Sequence, residues 1–305
     1  MKKVSIVVLT YNNIDMLNGA LMSIKSQTYE NIEVLISDDC SSKVKYEDIV
    51  AVVEQVGMEM NVQIHVNECN LGTVKNFNGA IKRASGEYIF PLSCDDKFAD
   101  ERVVEEIVTH MDNNNMLICT AYRKGCESGE ILPTADEASI LKSGDRDLML
   151  ARLAMGNIVC GATLYYRRKV FDEYGFFDEK YDLLEDYPYI FAFLKKGGEL
   201  GWFERTTIIY GESGVSSKDT NKPVNPRLKK DAGIMTKEDI LPSADAIKDK
   251  RIRRVVEYRK KKHEGNHSLL LLRLQYIDLS FMKLIKMLKR DKRNIFWTMY
   301  KGPKK

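Results

Sequence analysis

The sequence predicts an α/β chain built on a doubly wound, mostly parallel sheet with a basic helical extension at its C-terminal end. Three observations lead there. Apolar runs of strand length alternate with helical periodicity through roughly the first 120 residues, the pattern of a parallel sheet with crossover helices. Carboxylate pairs follow two of those runs, Asp38-Asp39 after Val34 to Ile36 and Asp95-Asp96 after Tyr88 to Leu92. Charge is also divided unevenly: residues 248–305 hold 19 Lys and Arg against 5 Asp and Glu, so residues 1–247 carry a net −11 within a formal total of +3.

The elements follow in order. Lys3 to Leu9, mostly apolar, reads as a buried strand; Ile14, Leu17, Leu21 and Ile24 then recur at helical spacing. Ile32 to Ser37 is a second strand, Tyr46, Ile49, Val50, Val53 and Val56 mark a helix, and Val62 to Val66 alternates as a third strand. Phe77, Ile81 and Ala84 give a helix face, Tyr88 to Leu92 a fourth strand, Val103, Val104, Ile107 and Met111 a helix face, and Met116 to Ala121 a fifth strand. The stretch from about 122 to 143 reads as loop-rich. Beyond it come a helix at Asp147 to Met155, a strand at Ala162 to Tyr166, a helix face at Tyr187, Ile190, Phe191 and Leu194, and a strand at Trp202 to Tyr210. Residues 213–231 are polar with two prolines and read as a linker, followed by a basic helical tail.

With 305 residues and 44% hydrophobic content the chain can bury a sizeable core. Its first residues are too short an apolar run for a signal peptide, and no stretch approaches the roughly 20 apolar residues that span a bilayer. Six cysteines, at 40, 69, 94, 119, 126 and 160, form no Cys-x-x-Cys pair and suit a reducing cytoplasm.

In a doubly wound sheet both acidic pairs fall on the carboxyl edge of the strands, where ligands bind. Four carboxylates crowded there repel one another unless a cation or a set of donors shares the site. The arrangement points to a metal-bound, oxygen-rich ligand.

The chain resembles the inverting glycosyltransferases of family 2, which have the GT-A fold, in their bacterial polysaccharide type. The resemblance rests on Val4 to Asn13, Ser26 to Asp39, Asn70-Leu71-Gly72, Ala84 to Ile89, Asp95-Asp96 and Leu184-Glu185-Asp186-Tyr187, in the family's order over about residues 1–217. It implies a GT-A domain at 1–217, with a nucleotide-binding half at about 1–121 and an acceptor half at 122–217. A linker at 218–247 and a basic amphipathic tail at 248–305 lie beyond it. The implied reaction is inverting transfer of a sugar from a nucleotide-sugar, UDP-linked by preference, to a glycan or lipid-linked acceptor in cell-surface polysaccharide synthesis. Mn²⁺ or Mg²⁺ would be the cofactor.

The resemblance also implies site residues. Thr10 and Tyr11 after the first strand lie at the nucleotide, the Tyr11 ring against the base, and Asp39 hydrogen-bonds the base. Independently, a uracil needs a ring to stack on and a carboxylate to accept its N3 hydrogen. Asp96 matches the metal ligand and Asp95 the contact to ribose or metal, with Ser93 where the family often has an acid. Asp186 matches the catalytic base, which must take a proton from a hydroxyl too weakly acidic to attack unaided. Glu185 beside it reads either as an acceptor ligand or as a helix-start carboxylate. Two family features differ: an Arg-Asn pair is absent after Asn70-Leu71-Gly72, leaving Lys75 for phosphate or base contacts, and Glu212 stands near where many members have a metal-binding histidine.

Other classes are weaker. A non-catalytic nucleotide-sugar binder or assembly protein with a degenerate metal site is the alternative that Ser93 leaves open. No Gly-x-Gly-x-x-Gly follows the first strand, which disfavours a dinucleotide oxidoreductase. His263-Glu264-Gly265-Asn266-His267 has zinc-protease spacing, but Gly265 and Asn266 are poor helix formers. The tail reads either as a helix on an anionic membrane surface, making the protein peripheral on the inner face of the membrane, or as a solvated or self-associating basic helix pair. Nucleic acid is not an expected partner, because base-reading motifs are absent.

Overall fold

The computed structural model describes residues 1–58, 61–211, 225–246, 250–264 and 268–277. Its centre is a curled, mixed nine-stranded sheet. Strands β1 (Val4–Thr10), β2 (Ile32–Asp38), β3 (Asn61–Val66) and β4 (Tyr88–Ser93) lie side by side in the order β3-β2-β1-β4, all parallel. β2 is buried along its whole length and β1 along most of it, because both faces are covered; that is why their apolar residues fall on both faces rather than on every second position, with Ser5, Glu33 and Ser37 as the buried polar exceptions. β3 is the edge strand and alternates between exposed and half-buried residues.

Crossover helices cover the two faces. On α1 (Leu17–Lys25), Leu17, Ala20, Leu21 and Ile24 form the buried stripe, each large side chain contributing about 1.5–3 kcal/mol on leaving water. Helix α2 is Tyr46–Val56, α3 is Thr73–Arg83 and α4 is Val103–Asn113. Val4, Ile6 and Val8 of β1 join the core under α1 and α4, while Val7 points to the other core with Phe77 and Ile81 of α3.

The second half makes the sheet mixed. A short β5 (Lys97–Phe98) follows β4; then come β6 (Ile118–Gly125), β7 (Ile131–Leu132), α5 (Ala135–Lys142), α6 (Arg146–Met155), β8 (Leu164–Arg167), α7 (Lys169–Tyr174), α8 (Asp186–Lys195) and β9 (Leu200–Tyr210). β8 runs antiparallel between β4 and β6, so the fifth predicted strand does not sit beside the fourth. β9 is parallel to β6, and β5 closes the far edge antiparallel to β9.

Two stretches differ from expectation. α5 lies inside the supposed loop 122–143: its buried face carries Glu137 as well as Ala138 and Leu141, so the apolar period is muted. That carboxylate is paired with buried Arg152 at 2.7 Å, and Thr134 caps the helix through the Glu137 amide. The supposed linker 218–247 is helical in its described part, 225–246. Helix α9 (Pro226–Ile234), capped by Asn225, runs on through a π turn at Met235–Ile240 and a 3-10 turn at Leu241–Ala246. Met235, Ile240 and Leu241 are buried in the main core, while α9 itself buries a carboxylate, Asp231. That polar inward contact is why the segment looks like linker in sequence.

Helix α10 (Lys250–Glu264) buries Val255 and Val256 and packs against α6, and α11 (Leu269–Gln275) follows it. The rest of the basic tail, 278–305, lies outside the described residues, as do Gly265, Asn266 and His267 of the histidine motif. All six cysteines are free, and no helix among the described residues is long and apolar enough to cross a membrane.

Candidate functional site

The parallel register brings the candidate residues to one edge. Thr10 is opposite Asp38, and Leu9 is opposite Ser93, so the chain leaves β1, β2 and β4 side by side. At the end of β1 Asn13 turns the chain: its Oδ1 accepts from the Thr10 hydroxyl and the Tyr11 amide, both at 2.9 Å. Tyr11 is thereby turned outward and is 47% exposed, so it is not a core aromatic.

The two acids after β2 have separate tasks. Asp38 is fully buried and closes its own turn, accepting from the Ser41 amide at 2.8 Å and the Ser41 hydroxyl at 2.5 Å. Asp39 holds the loop before α3: Oδ1 accepts from Asn67 Nδ2 at 3.0 Å and the Leu71 amide at 2.8 Å, and Oδ2 from the Gly72 amide at 2.8 Å. A carboxylate has about four acceptor positions. Three are used, and one on Oδ2 remains. Gly72 has φ +86°, and a Cβ there would lie 2.5 Å from the Asp182 carbonyl oxygen, so glycine is required where this loop crosses the 182–186 segment. Lys75 stands exposed in the first turn of α3.

After β4 the chain makes a tight turn, with the Asp96 amide on the Ser93 carbonyl at 2.9 Å. Asp96 is 1% exposed. Its Oδ1 accepts from the Gly211 amide at 2.8 Å, and its Oδ2 is buried without a hydrogen-bond partner among the described residues. Burial, then the charge of Asp95, pushes the Asp96 carboxyl up to about 8; burial also raises Asp95. Glu212, next along the chain, lies outside the described residues.

Asp186 begins α8, where the N-terminal helix dipole favours an anion. It is 8% exposed. Oδ2 accepts from Asn157 Nδ2 at 3.3 Å and the Gly161 amide at 3.0 Å, and Oδ1 from the Tyr187 amide at 2.6 Å. Burial raises its pKa against those three donors. Glu185 is likewise raised, by burial and then by Asp186. It leans over Gly161, where any Cβ would collide with its Oε1.

Sequence reasoning missed the residue between these acids. Arg123, near the end of β6, donates to the Cys160 thiol and stacks its guanidinium carbon 4.2 Å from the Tyr210 ring centroid. Its charge acts on both Asp96 and Asp186, drawing each down, and burial pushes the Cys160 thiol up to about 11. The structure thus brings Asp95, Asp96, Arg123, Cys160 and Asp186 into one electrostatic neighbourhood. Nothing in the sequence marks Arg123, Asn157 or Gly211; only β6 outrunning its apolar stretch would have pointed to the first.

The donor set suits a divalent cation. Asp96 Oδ2, a buried carboxyl oxygen with no partner among the described residues and beside a second acid, is the kind of atom such a cation satisfies in place of a proton when a ligand's oxygens supply the remaining positions. No three-residue His, Cys, Asp or Glu cage occurs among the described residues, so this chain would hold a metal jointly with a ligand.

The family model for glycosyl transferase family 2 matches residues 5–175, more than half of the chain. An uncharacterized glycosyltransferase of Rickettsia felis is 30% identical over 195 residues, 63% of this chain and 31% of its own length. The chain thus spans about a third of that relative. Among solved structures, the S. aureus protein TarS in complex with UDP-GlcNAc superposes with TM-score 0.59 at 20% identity, covering 80% of this chain and 65% of its own. The mannosyltransferase PcManGT from Pyrobaculum calidifontis, in complex with GDP-Man and Mn²⁺, superposes with TM-score 0.58 at 12% identity, covering 92% and 80%.

Proposed function

Since the chain belongs to glycosyltransferase family 2 and is a transferase of the GT-A fold, we propose that it moves a sugar, with inversion, from a UDP-sugar to a hydroxyl of a glycan or lipid-linked acceptor in cell-surface polysaccharide synthesis. The observation that carries this reading is the shared neighbourhood of Asp96 Oδ2, a buried oxygen without a partner among the described residues, and a hydrogen-bonded, buried carboxylate, Asp186. One end suits a leaving diphosphate and the other an incoming hydroxyl.

In this reading the exposed Tyr11 ring stacks on the base, and the remaining acceptor position on Asp39 Oδ2 takes the uracil N3 hydrogen. Thr10 shapes the turn that presents Tyr11. Lys75 offers positive charge to the diphosphate. Asp96, with Asp95, would hold Mn²⁺ or Mg²⁺, and the bound ion would supply counter-charge to the departing diphosphate. Arg123 adds a fixed cation in the same place. Asp186 takes the acceptor hydroxyl's proton as the oxygen attacks the anomeric carbon and the bond to the diphosphate oxygen breaks on the opposite face. Glu185, directly before it, orients the acceptor, and Glu212 would supply a further oxygen ligand to the ion.

The domain division follows from these roles: a donor half at 1–121, an acceptor half at 122–217 and a basic tail at 248–305. A cytoplasmic, peripheral position suits an enzyme with a lipid-linked acceptor. It is supported by exposed Leu270, Leu271, Leu274 and Ile277 in a basic stretch of chain.

A donor panel scored by released nucleotide, with and without Mn²⁺ and with and without acceptor lipid extract, tests the reading. Release from one UDP-sugar that needs the metal supports it. No release from any nucleotide-sugar in the panel overturns it.

A further inference from the structure

Helix α9 lies beyond the stretch that the family model matches, yet it reaches both sides of the candidate site. Its Asp231 is fully buried. The carboxylate accepts from three successive backbone amides: Asp182 at 3.1 and 3.0 Å on its two oxygens, Leu183 at 2.7 Å and Leu184 at 3.1 Å. Consecutive N–H groups turned onto one anion form a nest, and here the Asp231 carboxylate is what satisfies all three. The next two residues are Glu185 and Asp186.

The same helix reaches the other side. Arg227 donates to Asn70 Oδ1 at 2.5 Å and lies 3.6 Å from Asp182 Oδ2, which Lys230 also meets at 3.1 Å. The Asp182 carbonyl accepts the Val74 amide at 3.1 Å, at the start of α3. Asn70 stands next to Leu71 and Gly72, the two residues whose amides Asp39 holds. A continuous set of bonds therefore runs from Asp39 through the 70–74 loop and α9 to the residues just before Asp186.

We propose that Asp231 is a positioning residue for Asp186, and that α9 is a brace through which occupation of the nucleotide side at Asp39 tightens the base side at 182–186. The inference rests on the transferase reading above. It adds that this chain's own post-domain helix, rather than the matched family core, sets the geometry of the base.

Asp231→Asn keeps the volume but replaces an acceptor oxygen with a donor amide facing the backbone donors. The expected result is a kcat lowered roughly tenfold or more, with KM for the donor raised by no more than about the fivefold that the coupling to the nucleotide side implies. The acid limb of the kcat profile should also move, since Asp186 loses its fixed surroundings. Asp231→Glu, which keeps the charge, should recover part of the loss. In the wild type, UDP should slow hydrogen exchange of the Leu183 and Leu184 amides by roughly fivefold or more, the lower end of ordinary coupling between sites. That measurement stands even if Asp231→Asn does not fold. Unchanged kcat and pH profile in a folded Asp231→Asn, or exchange at 183–184 indifferent to bound UDP, overturns the brace while leaving the transferase reading in place. A wild type inactive with every donor overturns both.

Discussion

The Gly211 amide donates to Asp96 Oδ1 at 2.8 Å, and the other oxygen of the same carboxylate has no partner among the described residues. One backbone bond from the end of β9 thus fixes how Asp96 presents its free oxygen. Asp96→Ala should remove metal-stimulated transfer and weaken nucleotide-sugar binding, because the leaving diphosphate loses its counter-charge. Gly211→Ala should act in the same direction less severely: a Cβ there would sit 2.6 Å from both the carbonyl oxygen and Oδ2 of Asp95, so the acidic turn must shift. Rates measured across a Mn²⁺ titration check both; full wild-type activity in excess chelator contradicts the assignment.

Asp186→Asn retains shape but cannot accept the proton, so turnover should fall on the order of 10²-fold or more, with UDP affinity preserved. Calorimetry that finds affinity collapsing with rate would make Asp186 a donor ligand or a structural residue instead.

Burial raises the Asp186 carboxyl, and the base works only when ionised. The kcat of the wild type should therefore decline on the acid side at a higher pH than an ordinary aspartate would dictate. Asn157→Leu removes a donor that favours the ionised form, so the same limb should move to still higher pH. A limb that stays put in the variant would remove Asp186 as its source.

Tyr11→Ala should weaken UDP binding by about 1–3 kcal/mol, the ordinary worth of a base stacked on an aromatic ring, while Tyr11→Phe leaves it near wild type. Equal losses in the two variants would assign the effect to the hydroxyl rather than the ring.

The legible parts of this protein are those where burial leaves an apolar trace. β1, β2 and β4 and the stripe of α1 are evident in sequence because water is excluded from two faces of a strand and one face of a helix. The acidic pairs are evident because carboxylates at strand ends are chemically conspicuous. Three features were hidden because the fold, not the local pattern, decides which partners they meet. Asp38 and Asp39 look alike, but only the fold assigns one to its own turn and the other to the Asn67–Gly72 loop. Arg123 gains its meaning from Tyr210 and Cys160. Asp231 sits in a polar, proline-bearing stretch whose inward contact is a set of backbone amides, and no hydropathy pattern records that.

Glu33, within β2 of the parallel sheet, is buried, and burial alone would raise its carboxyl. Lys3 at 2.8 Å, Ser5 at 2.5 Å and Ser85 at 2.6 and 2.7 Å instead hold it down to about 2. The folded value lies below the ordinary 4.5, so the stabilisation is complete above about pH 4.5 and is lost as pH falls toward 2. The displacement corresponds to about 3 kcal/mol. Glu33→Gln should destabilise the protein at pH 7 by that order, and the gap from wild type in urea unfolding should narrow at pH 3. A gap independent of pH would mean packing, not charge, accounts for the loss.

Because Val256 of α10 is buried in the main core and Val255 packs with Leu272, Tyr276 and Met155, a test of membrane attachment should spare that helix. Removing residues 278–305 and replacing exposed Leu270, Leu271 and Leu274 with Ser should abolish sedimentation with anionic vesicles while leaving the thermal midpoint nearly unchanged. Salt should release the intact chain, since the surface potential is screened within a Debye length of about 10 Å at 0.1 M. An intact chain that ignores anionic vesicles at low salt favours self-association of the tail.

The turn carrying Asp95 and Asp96 is fastened at both ends, to the parallel sheet through β4 and to β9 through the pairing of Lys97 with Ile209 and Phe98 with Ile208. The acidic turn therefore works as a rivet between the chain's two halves. A chimera that grafts the acceptor half of one relative onto the donor half of another would carry over both acids and still misplace them unless the last residues of β9, through Gly211, came from the same parent as the turn. Mixing specificities in this scaffold thus has a natural cut site that leaves β4, β5 and the end of β9 together.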